Sequence, residues 1–113
     1  MATYFANITV FDGHRVRPKQ GVLIEGGRIA WVGAHARAPR EARGAHARDG
    51  IGRTITPGLI DCHVHLQFDG VADFEAEARA LTPTLGALKA ARNALLHLAS
   101  GVTTVRDLGA RAP

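Results

Sequence analysis

The 113-residue sequence contains little cysteine and few aromatic side chains. Its one cysteine, Cys62, has no second thiol to pair with, so an internal disulfide is not expected. Zinc sites built from four cysteines, or from two cysteines and two histidines, are excluded for the same reason. Phe, Trp and Tyr together make up 5% of the residues. No segment approaches the ~20 consecutive apolar residues of a membrane-spanning helix, and the first residues lack the basic start of a secretory signal. These absences predict a soluble, cytoplasmic protein without a membrane partner.

Acidic residues are outnumbered, since 14 Lys and Arg stand against 10 Asp and Glu and the formal net charge is +4. The basic residues lie closest together between Arg37 and Arg53, where Glu41 and Asp49 interrupt them and no aromatic residue occurs. Proteins that bind single-stranded nucleic acid stack the bases on aromatic side chains. We therefore interpret this stretch as a solvated surface loop, and we expect no nucleic-acid partner. A nucleic-acid-binding module would instead show salt-dependent retention on DNA.

The first half of the chain has the pattern of short strands and tight turns. Thr3–Val10 is rich in β-branched and aromatic residues, which predicts a strand. Val22–Glu25 and Arg28–Val32 flank the pair Gly26-Gly27. This spacing predicts a β-hairpin, because a two-residue primed turn needs positive φ at its centre. A further extended segment is expected around 49–56, before Pro57-Gly58.

The second half changes character, which predicts a boundary near Pro57 between a β part and an α/β part. Leu59–Leu66 is nearly continuously apolar, as in strands of a parallel sheet that is covered on both faces. Thr82-Pro83 predicts a helix start, and Gly101 predicts its end. Val102–Arg106 predicts the next strand, so the segment forms a βαβ unit with a right-handed crossover. The helix is expected to bury one apolar face, formed by Leu85, Leu88, Leu95, Leu96 and Ala99.

The residues that carry chemistry lie in the predicted strand that begins after Pro57-Gly58. Because side chains alternate along a strand, Asp61, His63 and His65 share one face. Alternate residues are ~6.5–7 Å apart, so two imidazoles can converge on one divalent ion. Asp61, one pleat back, is suited to orient a ligand. Two histidines bonded to backbone would have the same spacing, but a polar face on a buried strand is costly unless a metal compensates it.

Two segments resemble a known family. Thr56–His65, with the sequence TPGLIDCHVH, is similar to the signature of the metal-dependent amidohydrolase superfamily, and Gly101–Gly109 is similar to that family's second barrel strand. The resemblance covers nearly the whole chain and is nearest to the imidazolonepropionase-like branch, which includes dipeptidases that cleave before proline. It implies an α/β fold, the N-terminal part of a (β/α)8 TIM barrel preceded by strands of a small β-sandwich. Residues 1–56 would belong to the sandwich and residues 57–113 to the first strand-helix-strand of the barrel.

The resemblance also implies a chemistry. His63 and His65, at the C-terminal end of the first barrel strand, would bind a divalent metal, zinc above all, with one or two ions in the complete enzyme. The metal would activate water and polarise the carbonyl of a peptide or cyclic amide, so the expected partner is a small-molecule or dipeptide substrate. A homo-oligomer remains open. The further candidates for contact with a ligand or with substrate are Asp61, Gln67 and Asp107.

The chain departs from the family in its length. Family members run to several hundred residues, and their later strands supply a bridging carboxylated lysine, two more histidines and a catalytic aspartate. The two lysines here, Lys19 and Lys89, stand in the β region and in the predicted helix. Catalytic zinc usually has three protein ligands, so we expect an N-terminal fragment of a hydrolase that is inactive alone. The alternative is a short non-catalytic paralogue that binds metal weakly or pairs with another subunit.

Overall fold

The structure, a computed structural model, describes residues 1–110 and has a mixed α/β fold. The last three residues of the predicted segment 57–113 therefore lie outside the described residues. The chain divides into two compact units, Met1–Pro57 and Gly58–Pro113. Neither α-helix of the described chain has the length and apolar character needed to cross a membrane.

The first unit is a mixed sheet of the strands β1 (Ala2–Phe11), β2 (Val16–Glu25), β3 (Arg28–Ala34), β4 (His46–Asp49) and β5 (Thr54–Ile55). The strand order is β3-β2-β1-β4, and β5 also pairs with β1. Both β4 and β5 run parallel to β1. The basic stretch from Arg37 to Arg53, interpreted above as a surface loop, contains the 3-10 helix Arg40–Arg43 and the strand β4. Another 3-10 helix, His35–Arg37, leads into it.

The predicted hairpin is confirmed. Glu25 pairs with Arg28 across the turn, and Gly26 and Gly27 have φ values of 56° and 74°. A primed turn needs these positive angles, which a residue with a Cβ adopts only at a cost.

The core of the first unit lies in two small clusters. Tyr4, Leu23 and Ala42 form one, and Ile8, Val10 and Val22 form the other. The Tyr4 hydroxyl is 2.9 Å from Nδ1 of His35. Burial raises the pKa of Tyr4 above its usual value.

The second unit contains two parallel strands joined through two helices. β6 spans Leu59–Val64 and β7 spans Val102–Asp107, and the two are hydrogen-bonded in parallel, which confirms the predicted βαβ arrangement. The connection contains α1 (Phe74–Ala80) and α2 (Pro83–Ala99). The predicted start of α2 is also confirmed, because the Thr82 hydroxyl accepts a hydrogen bond from the Leu85 N–H at 3.2 Å.

Three elements of the second unit differ from prediction. β6 ends at Val64 rather than at Leu66, and it is not covered on both faces, since Leu59 and Ile60 are 55% and 68% exposed. The sequence patterns do not predict α1, whose N-cap is Asp73, because seven residues are too few for a helical period to emerge. The predicted core face of α2 is wrong for this chain, since Leu88 and Leu95 are 66% and 67% exposed. Two strands and a short helix offer too little surface to cover that face.

Candidate metal centre

His63 and His65 stand at the C-terminal end of β6. His63 is the last residue but one of the strand, and His65 follows the strand directly. Their ring centres are 5.3 Å apart, and the two ring planes are inclined to each other at 75°. The two imidazoles therefore lie on the same side of the chain, as expected from alternating side chains, and both are exposed.

A β-bulge shapes the end of the strand. Asp61 pairs with Val105 and Val64 pairs with Asp107, so β6 advances three residues where β7 advances two. The carboxylate of Asp61 satisfies the N–H of His63, with Oδ1 accepting at 3.0 Å. Asp61 thus contacts a candidate ligand through that residue's backbone.

Asp107, at the end of β7, joins the two strand ends. Its Oδ1 accepts from the Gly109 N–H and its Oδ2 from the Leu66 N–H, each at 3.0 Å. The bond from Gly109 is the main reason why the pKa of Asp107 is lowered; burial opposes it, while the Leu66 bond and the nearby His65 assist. A carboxylate held ionised here fixes the peptide that follows His65.

Gly109 allows the His65 ring to pack directly against the backbone. A Cβ at position 109 would lie 2.8 Å from Nδ1 and 2.9 Å from Cε1 of that ring, which is closer than a carbon can stand. Gln67, the remaining sequence candidate, has its amide against α2, where a Cβ on Gly86 would be 3.3 Å from Nε2. The structure thus brings Asp107 and Gly109 to His65, and it brings Gln67 to the helix.

Both histidines line an open cavity of about 820 Å³. The Phe68 ring forms part of its wall, with its centre 6.3 Å from the centre of the His65 ring and 4.8 Å from that of Phe74. Lys89, Arg92 and Asn93 of α2 also line it. Sequence patterns do not single out Phe68 or Asn93 as site residues. The available signal is that Asn93 is a weak helix former inside a helix rich in Ala and Leu.

The two imidazoles have a spacing that fits a shared ion. At the usual N–metal distance of ~2.0–2.1 Å, two imidazoles on one tetrahedral ion have ring centres about 5 Å apart. The observed 5.3 Å is close to this value. Within residues 1–110 no group of three or more His, Cys, Asp or Glu side chains is arranged to hold a metal. His63 and His65 therefore fit two positions of a metal site, and their role as ligands stays a prediction.

Known proteins resemble this chain in sequence. The profile of the Amidohydrolase family matches residues 54–113. An imidazolonepropionase of Cereibacter sphaeroides is 48% identical over 71 residues, which cover 63% of this chain and 18% of that protein. An imidazolonepropionase of Aromatoleum aromaticum is 41% identical over 112 residues, covering 77% of this chain and 27% of that protein. The chain thus spans about a quarter, or less, of the length of these relatives.

Solved structures share the fold of the chain. A prolidase complexed with N-methylphosphonate-L-proline has a TM-score of 0.74 at 31% identity, covering 96% of this chain and 26% of that one. Molinate hydrolase has a TM-score of 0.75 at 30% identity, covering 94% and 23%. A Xaa-Pro dipeptidase with bound methionine has a TM-score of 0.73 at 24% identity, covering 97% and 27%. The last of these likenesses concerns the fold alone.

Proposed function

The chain belongs to the amidohydrolase family, and from this premise we propose that it is the N-terminal part of a hydrolase that cleaves C–N bonds in peptides or cyclic amides. The observation that carries the proposal is the pair of imidazoles, 5.3 Å apart, at the end of β6. The sequence similarity to imidazolonepropionases and the structural similarity to a prolidase support the choice of bond.

We assign β6, α2 and β7 to the first βαβ unit of a (β/α)8 barrel, and residues 1–56 to part of a small β-sandwich. The parallel pairing of β6 and β7 supports this assignment. The exposed leucines of α2 also support it, because further barrel elements would cover them. In such barrels the active site forms at the C-terminal ends of the strands. His65 and Asp107 stand at those ends.

His63 and His65 are the residues proposed to hold a divalent cation, with zinc as the first choice. A cation bound there supplies Lewis acidity to a carbonyl and lowers the pKa of water. The protein's own part is to hold the two rings in place. Asp61 binds the peptide of His63, and Asp107 binds the peptide that follows His65. These two hydrogen bonds fix the backbone at His63 and directly after His65, and so limit the positions that the two imidazoles can take.

The proposed substrate is a small amide or a dipeptide, and no nucleic acid or membrane takes part. The cavity beside the histidines supports this size class, because its volume of about 820 Å³ is in the usual range of small-molecule sites. Its lining, the apolar rings of Phe68 and Phe74 next to polar groups of α2, is also typical of such sites.

The first prediction concerns the two histidines in the complete protein that carries this chain. His63→Ala and His65→Ala should each lower zinc content, measured by elemental analysis, and should reduce hydrolysis at least ~100-fold, because an open zinc site needs its full ligand set. Activity is measured on a panel of Xaa-Pro dipeptides and cyclic amides. His14→Ala, which changes an exposed histidine of the first unit, should leave both measurements unchanged.

The same experiment can contradict the proposal. Full turnover in both variants, or zinc content that neither variant changes, would exclude the paired imidazoles as ligands.

The second candidate function is a short non-catalytic paralogue that binds metal weakly or pairs with another subunit. The absence of a third grouped ligand within residues 1–110 fits this candidate as well as it fits a fragment. The nucleotide sequence after codon 113 discriminates between the two. A frame that continues into strands with further histidines supports the enzyme.

A further inference from the structure

The chain after His65 is held by side chains of the two helices. Asn93 lies inside α2 and is 8% exposed. Its Nδ2 donates to the carbonyl oxygens of Leu66 and Phe68, at 3.0 Å and 3.1 Å, and lies 3.2 Å from Oδ1 of Asp69. The two N–H groups of one helix residue's amide thus face three polar groups of the loop formed by residues 66–69.

A second clamp lies beside the first one. Lys89 Nζ is 2.9 Å from Oδ2 of Asp69 and 2.5 Å from Oε1 of Glu77 in α1. The same Glu77 oxygen accepts the backbone N–H of Asp69 at 3.0 Å. Hydrogen bonds from Lys89 and Asn93 lower the pKa of Asp69. Hydrogen bonds from Lys89 to Glu77 and to Asp69 raise the pKa of Lys89. The last residue of the loop is therefore fixed through both its side chain and its backbone.

The helix side of this network is largely shielded from solvent. The Glu77 side chain is 8% exposed and that of Lys89 is 20% exposed, whereas that of Asp69 is 32% exposed. A buried amide or carboxylate costs free energy unless it is hydrogen-bonded. Asparagine is also a poorer helix former than the alanines and leucines around it. Neither helix stability nor apolar packing explains Asn93, whereas the two carbonyl groups of the loop do.

The network reaches His65 by two short routes. The peptide that follows His65 donates its N–H to Asp107, and the next carbonyl, that of Leu66, accepts from Asn93. The carbonyl of Phe68 accepts from the same amide, while the Phe68 ring packs edge-on against the His65 ring. The Phe68 N–H also donates to the His65 carbonyl at 3.1 Å. A change at position 93 would therefore act on both the backbone and the ring contact of His65.

We propose that Asn93 is a positioning residue for the candidate metal site. It orients the imidazole of His65 by holding the loop of residues 66–69, and Lys89 supports it by holding Asp69. The proposal rests on the function proposed above, because it takes His65 as a ligand. Asn93 should hold the loop of residues 66–69 in the metal-free protein as well.

The test uses the complete protein and the variant Asn93→Ala, with two measurements. Zinc affinity of the metal-free protein is measured by competition with a chromophoric chelator, and we expect the Kd to rise ~10–100-fold, the usual effect of removing a group that orients a ligand. In the metal-free protein, the nuclear Overhauser contact between the His65 and Phe68 rings should weaken or disappear. Ser100→Ala, which removes a hydrogen bond to Leu96 at the end of the same helix, is the matched control and should change neither value.

Each outcome has a defined meaning. An unchanged contact between the His65 and Phe68 rings in a folded Asn93→Ala protein overturns the inference. A lowered thermal midpoint with unchanged zinc affinity also overturns it, because Asn93 would then have a purely structural role. If the wild-type protein binds no zinc but the ring contact depends on Asn93, the proposed function fails and the positioning of the loop stands. Should Asn93→Ala not fold, Lys89→Gln weakens the second clamp alone. A smaller change in the same two measurements supports the inference, and no change overturns it.

Discussion

The imidazole of His65 is packed against backbone on one side and against an aromatic ring on another. Gly109 supplies the backbone contact, and Phe68 supplies the ring, whose centre is 6.3 Å away. His63 has a different support, since Asp61 binds its N–H within the same strand. The two candidate ligands are therefore oriented by different means. His63 depends on its own strand, whereas His65 depends on Phe68 in the loop after β6 and on Gly109 after β7.

Gly109→Ala tests the backbone contact. The added methyl group would stand 2.8 Å from Nδ1 of His65, so the ring must turn away. We expect the zinc Kd of the complete protein to rise about 10-fold or more, because the ring leaves its bound orientation. The control is Gly44→Ala, where φ is −93° and the nearest atom to a new Cβ is 4.0 Å away. Equal zinc affinity in the two variants would contradict the role of the contact.

The elements of the second unit meet at the ends of β6 and β7. The backbone ladder continues past β7 with a bond of 3.1 Å from the Leu108 N–H to the Val64 carbonyl. Asp107 adds its two bonds at the same point, to Leu66 and Gly109. A bulge in β6 precedes this junction, and bulges are typical of strand ends near active sites. The strand ends are thus joined by one carboxylate in addition to the ladder.

Asp107→Asn should destabilise the protein in a pH-dependent way. The pKa of Asp107 is lowered in the folded state, so its contribution is full above the unfolded pKa of ~3.9 and is lost as the pH falls below it. At pH 7 the variant should lose about 1 kcal/mol of unfolding free energy, the usual value of a net hydrogen bond. Urea denaturation at pH 7 and near pH 3 checks this. A deficit that stays equal at both values would exclude the carboxylate charge as its source.

At the scale of the whole molecule, the second unit exposes apolar surface on its sheet as well as on its longer helix. Leu59 and Ile60 of β6 are 55% and 68% exposed, and Leu88 and Leu95 of α2 are exposed to a similar extent. Two paired strands have two open edges, which favour association with other chains. In the proposed barrel, further strands and helices would cover these surfaces. Without them, the surfaces are available for contact between copies.

The 113-residue chain by itself should therefore self-associate. We expect a sedimentation coefficient that rises with protein concentration, because contiguous exposed apolar patches drive association. The double variant Leu88→Lys and Leu95→Lys should reduce this concentration dependence. Ile29→Lys, which changes a 68% exposed residue of the first unit, is the matched control. A control that suppresses association as strongly as the double variant would exclude α2 as the contact surface.

Features that depend on neighbours in the sequence could be predicted without coordinates. The turn at Gly26-Gly27 needs positive φ, and the start of α2 at Thr82 needs a hydroxyl three residues before an unbonded N–H. The shared side of His63 and His65 follows from the alternation of a strand. Each of these is decided by a few consecutive residues, and their local chemistry is strong enough to persist in the folded chain.

Other features needed the folded chain, because their partners are distant in sequence. Asn93 binds carbonyl groups 25 and 27 residues away, and no periodic pattern links such positions. The bulge at Asp61 depends on the register with β7, and the space beside Gly109 depends on where the His65 ring lies. Periodicity identifies an apolar helix face, but only the surrounding elements decide whether it is covered. A hydrogen bond or a contact between distant segments exists only after the chain has brought them together.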